Sequence, residues 1–194
     1  MQRSTLRVMT DRCANLIAVA TLPNLVSCVR FALIPAVGWS IVNNLAMLSI
    51  ALFLVVVVSD FLDGIIARRS GHETRLGTLI DHGADATFVI SITAVFAWIG
   101  LLPWLLPSLI ALAFLQYTMD SHVFAGSSLR PSSIGRWNGI AYFIITGCAI
   151  FVHHFSISTP LSTALMICGW LLVGTTILSI TERAMRLVHE RPRS

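Results

Sequence analysis

The sequence predicts an all-α integral membrane protein, and three observations lead to this class. The chain of 194 residues is 56% hydrophobic and only 11% charged, whereas a soluble domain carries about 25% charged residues. Apolar segments of roughly 20 residues, each long enough to cross a bilayer as a helix, fill nearly its whole length. The shorter alternating segments of a transmembrane β-barrel are not found. We therefore expect one membrane domain over residues 1–194.

Six apolar segments are predicted to form transmembrane helices, and a short amphipathic helix over about residues 8–20 is predicted to precede them. Two prolines in LLPWLLPS break the chain between the third and fourth segments. The polar stretch GSSLRPSSIGR separates the fourth from the fifth. The predicted spans are about 22–42, 45–67, 77–100, 104–125, 136–154 and 160–187.

All 13 basic residues are arginines, and their positions predict the topology. They lie before the first span, after the second and the fourth, and at or beyond the end of the sixth, while the other three connections contain none. Because cytoplasmic connections carry an excess of positive charge, both termini are predicted to be cytoplasmic. Arg30 is the exception, since it lies inside the first span.

The stretch SDFLDGIIARRSGHETRLGTLIDHGADA carries four aspartates where the flanking sequence is apolar. A charged side chain inside a membrane helix costs about 2.5–3.5 kcal/mol or more. Asp60 and Asp63 are three residues apart and Asp81 and Asp85 are four apart, so each pair shares one face of its helix. A short polar connection makes the two helices antiparallel neighbours. The four carboxylates are therefore predicted to converge at the cytoplasmic end of spans two and three.

Oxygen-only ligands of this kind suit hard divalent cations such as Mg²⁺ or Mn²⁺, and four carboxylates could hold two ions. Metals held by aspartates commonly bind substrates that carry phosphate, and Arg68 could bind a phosphate oxygen. Two other interpretations remain. The acids could form salt bridges with Arg68, Arg69, Arg75 and His82, or they could serve as the relay of a proton- or ion-coupled transporter.

This stretch resembles the signature D-x2-D-G-x2-A-R-x8-G-x3-D-x3-D of the CDP-alcohol phosphotransferase family. The upstream LPNLVSCVRFALIP is similar to the first helix of that family, with Asn24, Arg30 and Pro35 at matching places. The family has six helices and forms dimers, so the resemblance implies a homodimer. The eight fixed positions of the signature are all matched, by Asp60, Asp63, Gly64, Ala67, Arg68, Gly77, Asp81 and Asp85.

The resemblance implies transfer of a substituted phosphate from a CDP-alcohol to a second alcohol, with release of CMP. It implies that the four aspartates hold Mg²⁺ or Mn²⁺ and that Asp85 is either a ligand or the general base. His82 is an alternative base, or only a polar residue near the interface. The residues implied in binding the cytidine diphosphate are Asn24, Asp60, Gly64, Ala67, Arg68 and Gly77.

Two local features bear on the substrates. SSLRPSSIGRWNG resembles the loop before the fifth helix of the phosphatidyl-transferring branch, where a Gly-Lys pair helps bind a phosphorylated acceptor; here the pair ends in Arg136. Arg130 and Arg136 could grip such a phosphate, or could simply mark a cytoplasmic loop. The His82-Gly83 pair looks more like the enzymes that transfer phosphocholine or phosphoethanolamine from a CDP-alcohol to diacylglycerol. Asp120 could line the acceptor pocket or pair with either arginine.

The chain is much shorter than those phosphotransferases usually are, which favours CDP-diacylglycerol as the donor and a small polar alcohol, first of all glycerol 3-phosphate, as the acceptor. We expect a multi-pass protein of the bacterial inner membrane with a cytoplasmic active site. Its expected partners are the lipid donor, the polar acceptor, membrane lipids and a second copy of the chain, and no nucleic acid.

Overall fold

A computed structural model describes the backbone of residues 22–70, 75–123, 133–155 and 159–189, with side chains described over 29–62, 81–119, 134–155 and 159–186. Every regular element in these ranges is an α-helix, which confirms the predicted all-α class. The predicted amphipathic helix over residues 8–20 lies outside the described residues. The helices are α1 (Leu22–Val42), α2 (Ala46–Ser70), α3 (Arg75–Ile99), α4 (Leu105–Val123), α5 (Ser133–His154) and α6 (Thr159–His189).

Two helices are followed, within two residues of their ends, by a residue in a left-handed backbone conformation. Asn44 has φ 57° after α1, and Gly100 has φ 85° after α3. In each case the next amide reaches back five residues, Leu45 to Ser40 at 2.9 Å and Leu101 to the Phe96 carbonyl at 2.9 Å. These bonds satisfy carbonyls that the helix itself leaves unpaired. The predicted break after the third span therefore has a local cause at Gly100.

Helix α3 lies at the centre of the bundle, because it packs against α1, α4 and α5. Its Phe88, Ile92 and Phe96 side chains are fully buried. Helix α1 also packs on α2, and α6 packs on both α4 and α5. The central position of α3 places its acidic first half among the other helices. Buried apolar residues from the rest of the bundle include Val37, Ile41, Val56, Leu102, Leu106, Ile150 and Val173.

Large apolar side chains are exposed on all six helices, from Trp39 on α1 to Leu171 on α6. Among the described residues, three helical segments have the length and apolar composition to cross a membrane: Asp81–Ile99, Ile134–His154 and Thr159–Arg186. An exposed surface of this kind is compatible with lipid contact.

Candidate metal centre and substrate cavity

Three of the four predicted aspartates meet between α2 and α3. Asp60 lies in the second half of α2, and Asp81 and Asp85 lie one turn apart in the first half of α3. Each residue offers a carboxylate oxygen within 4.8 Å of the other two. Asp63 lies three residues beyond Asp60 in the same helix, and its side chain is outside the described residues. Helix α1 packs against both α2 and α3, and the acids of the two helices meet beside it.

Arg30 supplies a positive charge at the centre of these acids. Its side chain is completely buried on α1, and its Nη1 atom donates a hydrogen bond to Asp85 Oδ1. The same nitrogen lies 3.3 Å from Asp81 Oδ1 and 3.4 Å from Asp60 Oδ1. Helix α1 packs against both α2 and α3, so one side chain reaches acids on both.

This role of Arg30 was not predicted from the sequence. Salt bridges were expected from Arg68, Arg69, Arg75 and His82 as the alternative to a metal. The described ion pairs of the cluster come from Arg30. The side chains of Arg68, Arg69 and Arg75 lie outside the described residues, so their expected salt bridges stay a prediction. A signal was present, because Arg30 is a lone charge in the middle of an otherwise apolar span, and such a residue needs a charged partner.

The charges of the cluster suit a divalent cation. Three carboxylates and one guanidinium give these four side chains a summed charge of −2 when all are ionised. Close carboxylates repel one another unless a cation lies between them. The aspartate side chains keep exposures of 39%, 33% and 23% in chain order, so an ion can reach them. An oxygen-only donor set with residual negative charge fits Mg²⁺ or Mn²⁺.

A cavity of about 460 Å³ opens beside the acids. Asp60 and Asp85 are among its lining residues. Much of its wall is apolar, with Val89, Ile110 and Phe114 among the lining side chains. Deeper polar contacts join the helices around it: Tyr142 and Thr176 share a hydrogen bond of 2.5 Å, and Gln116 donates to the Ile180 carbonyl at 3.2 Å. Further polar lining residues are Asn138 and Ser179.

Two arginines line the cavity with an aromatic residue. Arg136 is exposed near the start of α5, and Arg183 lies on α6 with its guanidinium carbon 5.2 Å from the centre of the Tyr117 ring. The ring of His82 stacks on Tyr117 at 5.9 Å. Arg136 was expected at an acceptor site, whereas Arg183 was considered only as a marker of topology. Arg130 and the side chain of Asp120 lie outside the described residues.

For the other residues implied in nucleotide binding, the structure describes only the helix on which each one lies. All five are in the halves of α1, α2 and α3 that carry Arg30 and the aspartates. They are Asn24 on α1, Gly64, Ala67 and Arg68 on α2, and Gly77 on α3.

Comparison with known proteins gives consistent matches. A family model described as CDP-alcohol phosphatidyltransferase matches residues 20–178. A protein of Mycobacterium tuberculosis (strain ATCC 25618 / H37Rv) named "Putative cardiolipin synthase" is 30% identical over 162 residues, which is 78% of this chain and 73% of the relative. The same strain has a "Probable phosphatidylglycerophosphate synthase" that is 29% identical over 178 residues, covering 90% of this chain and 84% of the relative.

A third relative is the "Cardiolipin synthase (CMP-forming)" of Streptomyces coelicolor. It is 36% identical over 115 residues, which is 54% of this chain and 49% of the relative. The similar proteins thus carry names for two different lipid products, and both names concern phospholipid synthesis.

Proposed function

Since the chain belongs to the CDP-alcohol phosphatidyltransferase family, we propose that it transfers a phosphatidyl group from CDP-diacylglycerol to an alcohol acceptor and releases CMP. The observation that carries this proposal is the meeting of Asp60, Asp81 and Asp85 beside a cavity of about 460 Å³, which Asp60 and Asp85 line. A transporter would also need intramembrane acids, but the family membership makes phosphatidyl transfer the better account.

The reaction is a displacement at phosphorus. The acceptor hydroxyl oxygen forms a bond to the phosphorus that bears diacylglycerol, the bond from that phosphorus to the oxygen of CMP breaks, and CMP leaves with the electron pair. The hydroxyl proton passes to a base. A divalent ion would stabilise the negative charge that develops on the phosphoryl oxygens. Asp60, Asp63, Asp81 and Asp85 would hold this ion, or a pair of ions.

Asp85 is the residue we propose as the base. It belongs to the acidic cluster and also lines the cavity, so it would lie near an acceptor hydroxyl bound there. His82 lines the cavity too, but its ring packs on Tyr117. We therefore assign His82 to the wall of the cavity.

The substrates are proposed to enter from different directions. The cytidine diphosphate would bind between α1, α2 and α3, with Arg68 on a phosphate and Gly64 permitting close approach of the nucleotide. Its diacylglycerol part would remain in the lipid layer. Arg136 and Arg183 line the cavity, and together with Arg130 they would bind the phosphate of an acceptor. Glycerol 3-phosphate, a small phosphomonoester, is the first candidate.

A lipid acceptor, phosphatidylglycerol, is the second candidate, with cardiolipin as its product. Two observations favour it: relatives named as cardiolipin synthases, and the largely apolar wall of the cavity. Both acceptors present a glycerol hydroxyl close to a phosphate. The same two arginines could therefore serve either one, and the acyl chains of the lipid would have to leave the cavity sideways.

The membrane arrangement is proposed on the arginine pattern and on the family. Six spans with an amphipathic helix before them would place both termini, the acids and the two cavity arginines on the cytoplasmic side of a bacterial inner membrane. The three segments that are long and apolar enough to cross a membrane support this arrangement. A homodimer is proposed on the family resemblance.

The acceptor is identified by the product lipid. Purified protein is incubated with Mg²⁺ and CDP-diacylglycerol, and with either glycerol 3-phosphate or phosphatidylglycerol, and the lipids are analysed by mass spectrometry. Phosphatidylglycerophosphate from the first mixture supports the first candidate, and cardiolipin from the second supports the other. A protein that makes neither, but consumes CDP-choline or CDP-ethanolamine with diacylglycerol, would refute the proposed donor.

A further inference from the structure

Arg30 has no assigned part in the proposed reaction, although it contacts all three described acids. We propose that Arg30 is an internal counter-ion of the metal centre, which holds the three carboxylates together until a divalent cation takes its place. This inference rests on the metal site of the proposed function. It makes Arg30 a positioning residue that opposes metal binding.

The first argument is geometric. One nitrogen, Nη1 of Arg30, contacts the Oδ1 atoms of Asp60, Asp81 and Asp85. A bound Mg²⁺ lies about 2.0–2.1 Å from its oxygen ligands, so an ion held by these oxygens would need the space that Nη1 fills. A guanidinium has only donors and no lone pair for a metal. Nitrogen and metal ion therefore compete for the shared oxygens.

The second argument concerns charge and burial. The Arg30 side chain is completely buried, and carboxylates brought together without a cation would repel one another. Arg30 provides the compensating charge from within the fold. A divalent cation at the same oxygens compensates more charge, and its repulsion of a nearby guanidinium is strong in a partly buried site.

Two consequences follow for a variant that lacks the charge. Arg30→Gln removes one positive charge that contacts all three acids, so the variant is expected to be less stable than the wild type in a chelator and to recover when metal is added. It is also expected to bind metal more tightly, because no guanidinium has to be displaced. If Arg30 only positioned the acids for the metal, Arg30→Gln would instead bind metal more weakly than the wild type.

The affinity for Mn²⁺ tests the proposal directly. Free Mn²⁺ is measured by electron paramagnetic resonance during titration of the detergent-solubilised wild type and Arg30→Gln. We expect the variant to bind Mn²⁺ about tenfold or more tightly. The matched control is Arg186→Gln, which removes an exposed arginine that pairs with Glu182 on α6 and should leave the affinity unchanged. Equal or weaker binding by Arg30→Gln would overturn the proposal.

A second measurement uses the wild type, in case Arg30→Gln does not fold. The arginine side-chain Nε–Hε signals are recorded by ¹⁵N nuclear magnetic resonance, and the Arg30 signal is assigned by its loss in Arg30→Lys. Saturation with Mg²⁺ is expected to shift this signal as the ion pairs are lost. A signal that stays unchanged would show that Arg30 keeps its partners and would contradict the proposal.

Neither measurement depends on turnover, so the two proposals fail separately. If Arg30→Gln binds Mn²⁺ more tightly than the wild type does, but the wild type forms no CMP, the proposed function alone is refuted. A wild type that forms CMP while Arg30→Gln binds Mn²⁺ no better would refute the counter-ion alone. A wild type that binds no Mn²⁺ overturns the counter-ion proposal.

Discussion

Arg183 lines the cavity next to two stacked rings, His82 and Tyr117, which also line it. Its guanidinium lies over the ring of Tyr117, and the other stacking partner of that ring is His82. A cation–π contact of this kind helps to hold the guanidinium and its hydrogen-bond donors in one direction. Those donors suit a phosphate that enters the cavity.

Removing this charge should weaken binding of a phosphorylated acceptor. Arg183→Gln is expected to raise KM for glycerol 3-phosphate about ten- to hundredfold, because a hydrogen bond to a charged group contributes about 1.5–3 kcal/mol. KM for CDP-diacylglycerol should change little. The measurement is steady-state kinetics with each substrate varied in turn.

The control for this prediction lies one turn further along the same helix. Arg186→Gln removes an arginine that pairs with Glu182 outside the cavity, and both KM values should stay at the wild-type level. An Arg183→Gln enzyme whose two KM values rose equally would argue against a specific acceptor contact.

At the level of residues, the sequence predicts the acids but not their partner. The spacing of Asp60, Asp81 and Asp85 was sufficient to expect their convergence, because it follows from helical periodicity and one short connection. The contact with Arg30 spans 51 and 55 residues along the chain. It depends on α1 packing against both α2 and α3, and no local pattern in the sequence fixes that arrangement.

The helices themselves were predictable, because apolar length and turn residues determine where they begin and end. Which side of each helix faces the core was not predictable. In the run of valines from 55 to 58, only Val56 is buried, while the three others are exposed. Lipid-facing and core-facing residues are equally apolar in a membrane protein, so hydrophobicity does not separate the two faces.

One contact between elements is tight enough to give a sharp prediction. Gly169 on α6 faces the connection between α3 and α4, and a Cβ atom there would lie 2.5 Å from Pro103 Cδ and 3.4 Å from Leu102 Cδ2. Gly169→Ala should therefore cost about 1–3 kcal/mol of stability. This corresponds to a melting temperature about 2–4 °C lower for each kcal/mol, measured by differential scanning fluorimetry in detergent.

The same helix offers a matched substitution. A Cβ at Gly174 would meet nothing within 4 Å, so Gly174→Ala should leave the melting temperature unchanged or raise it slightly, since alanine is the better helix former. Equal losses in the two variants would mean that α6 does not pack closely on the α3–α4 connection.

At the scale of the whole molecule, two sets of charged groups lie near the cavity. The acids and Arg30 lie between α1, α2 and α3, while Arg136 and Arg183 lie on α5 and α6. This arrangement suits a reaction with two phosphate-bearing substrates, the nucleotide donor and a phosphorylated acceptor. The family signature predicted the acids of the first set, whereas the contact of Arg30 with them required the packing of α1, and the place of Arg183 required the packing of α4, α5 and α6 around the cavity.

The central claim is that the aspartates support metal-dependent transfer of a phosphatidyl group, and its most direct test is CMP release. The reaction contains CDP-diacylglycerol and the acceptor that the lipid analysis has identified, and the CMP formed is measured. Wild type and Asp85→Asn are compared, each in Mg²⁺ and in a chelator. The account predicts CMP only from the wild type with metal, and a loss of at least about a hundredfold in Asp85→Asn, as expected for a group that acts as base. CMP release that persisted in the chelator, or at the full rate in Asp85→Asn, would contradict it.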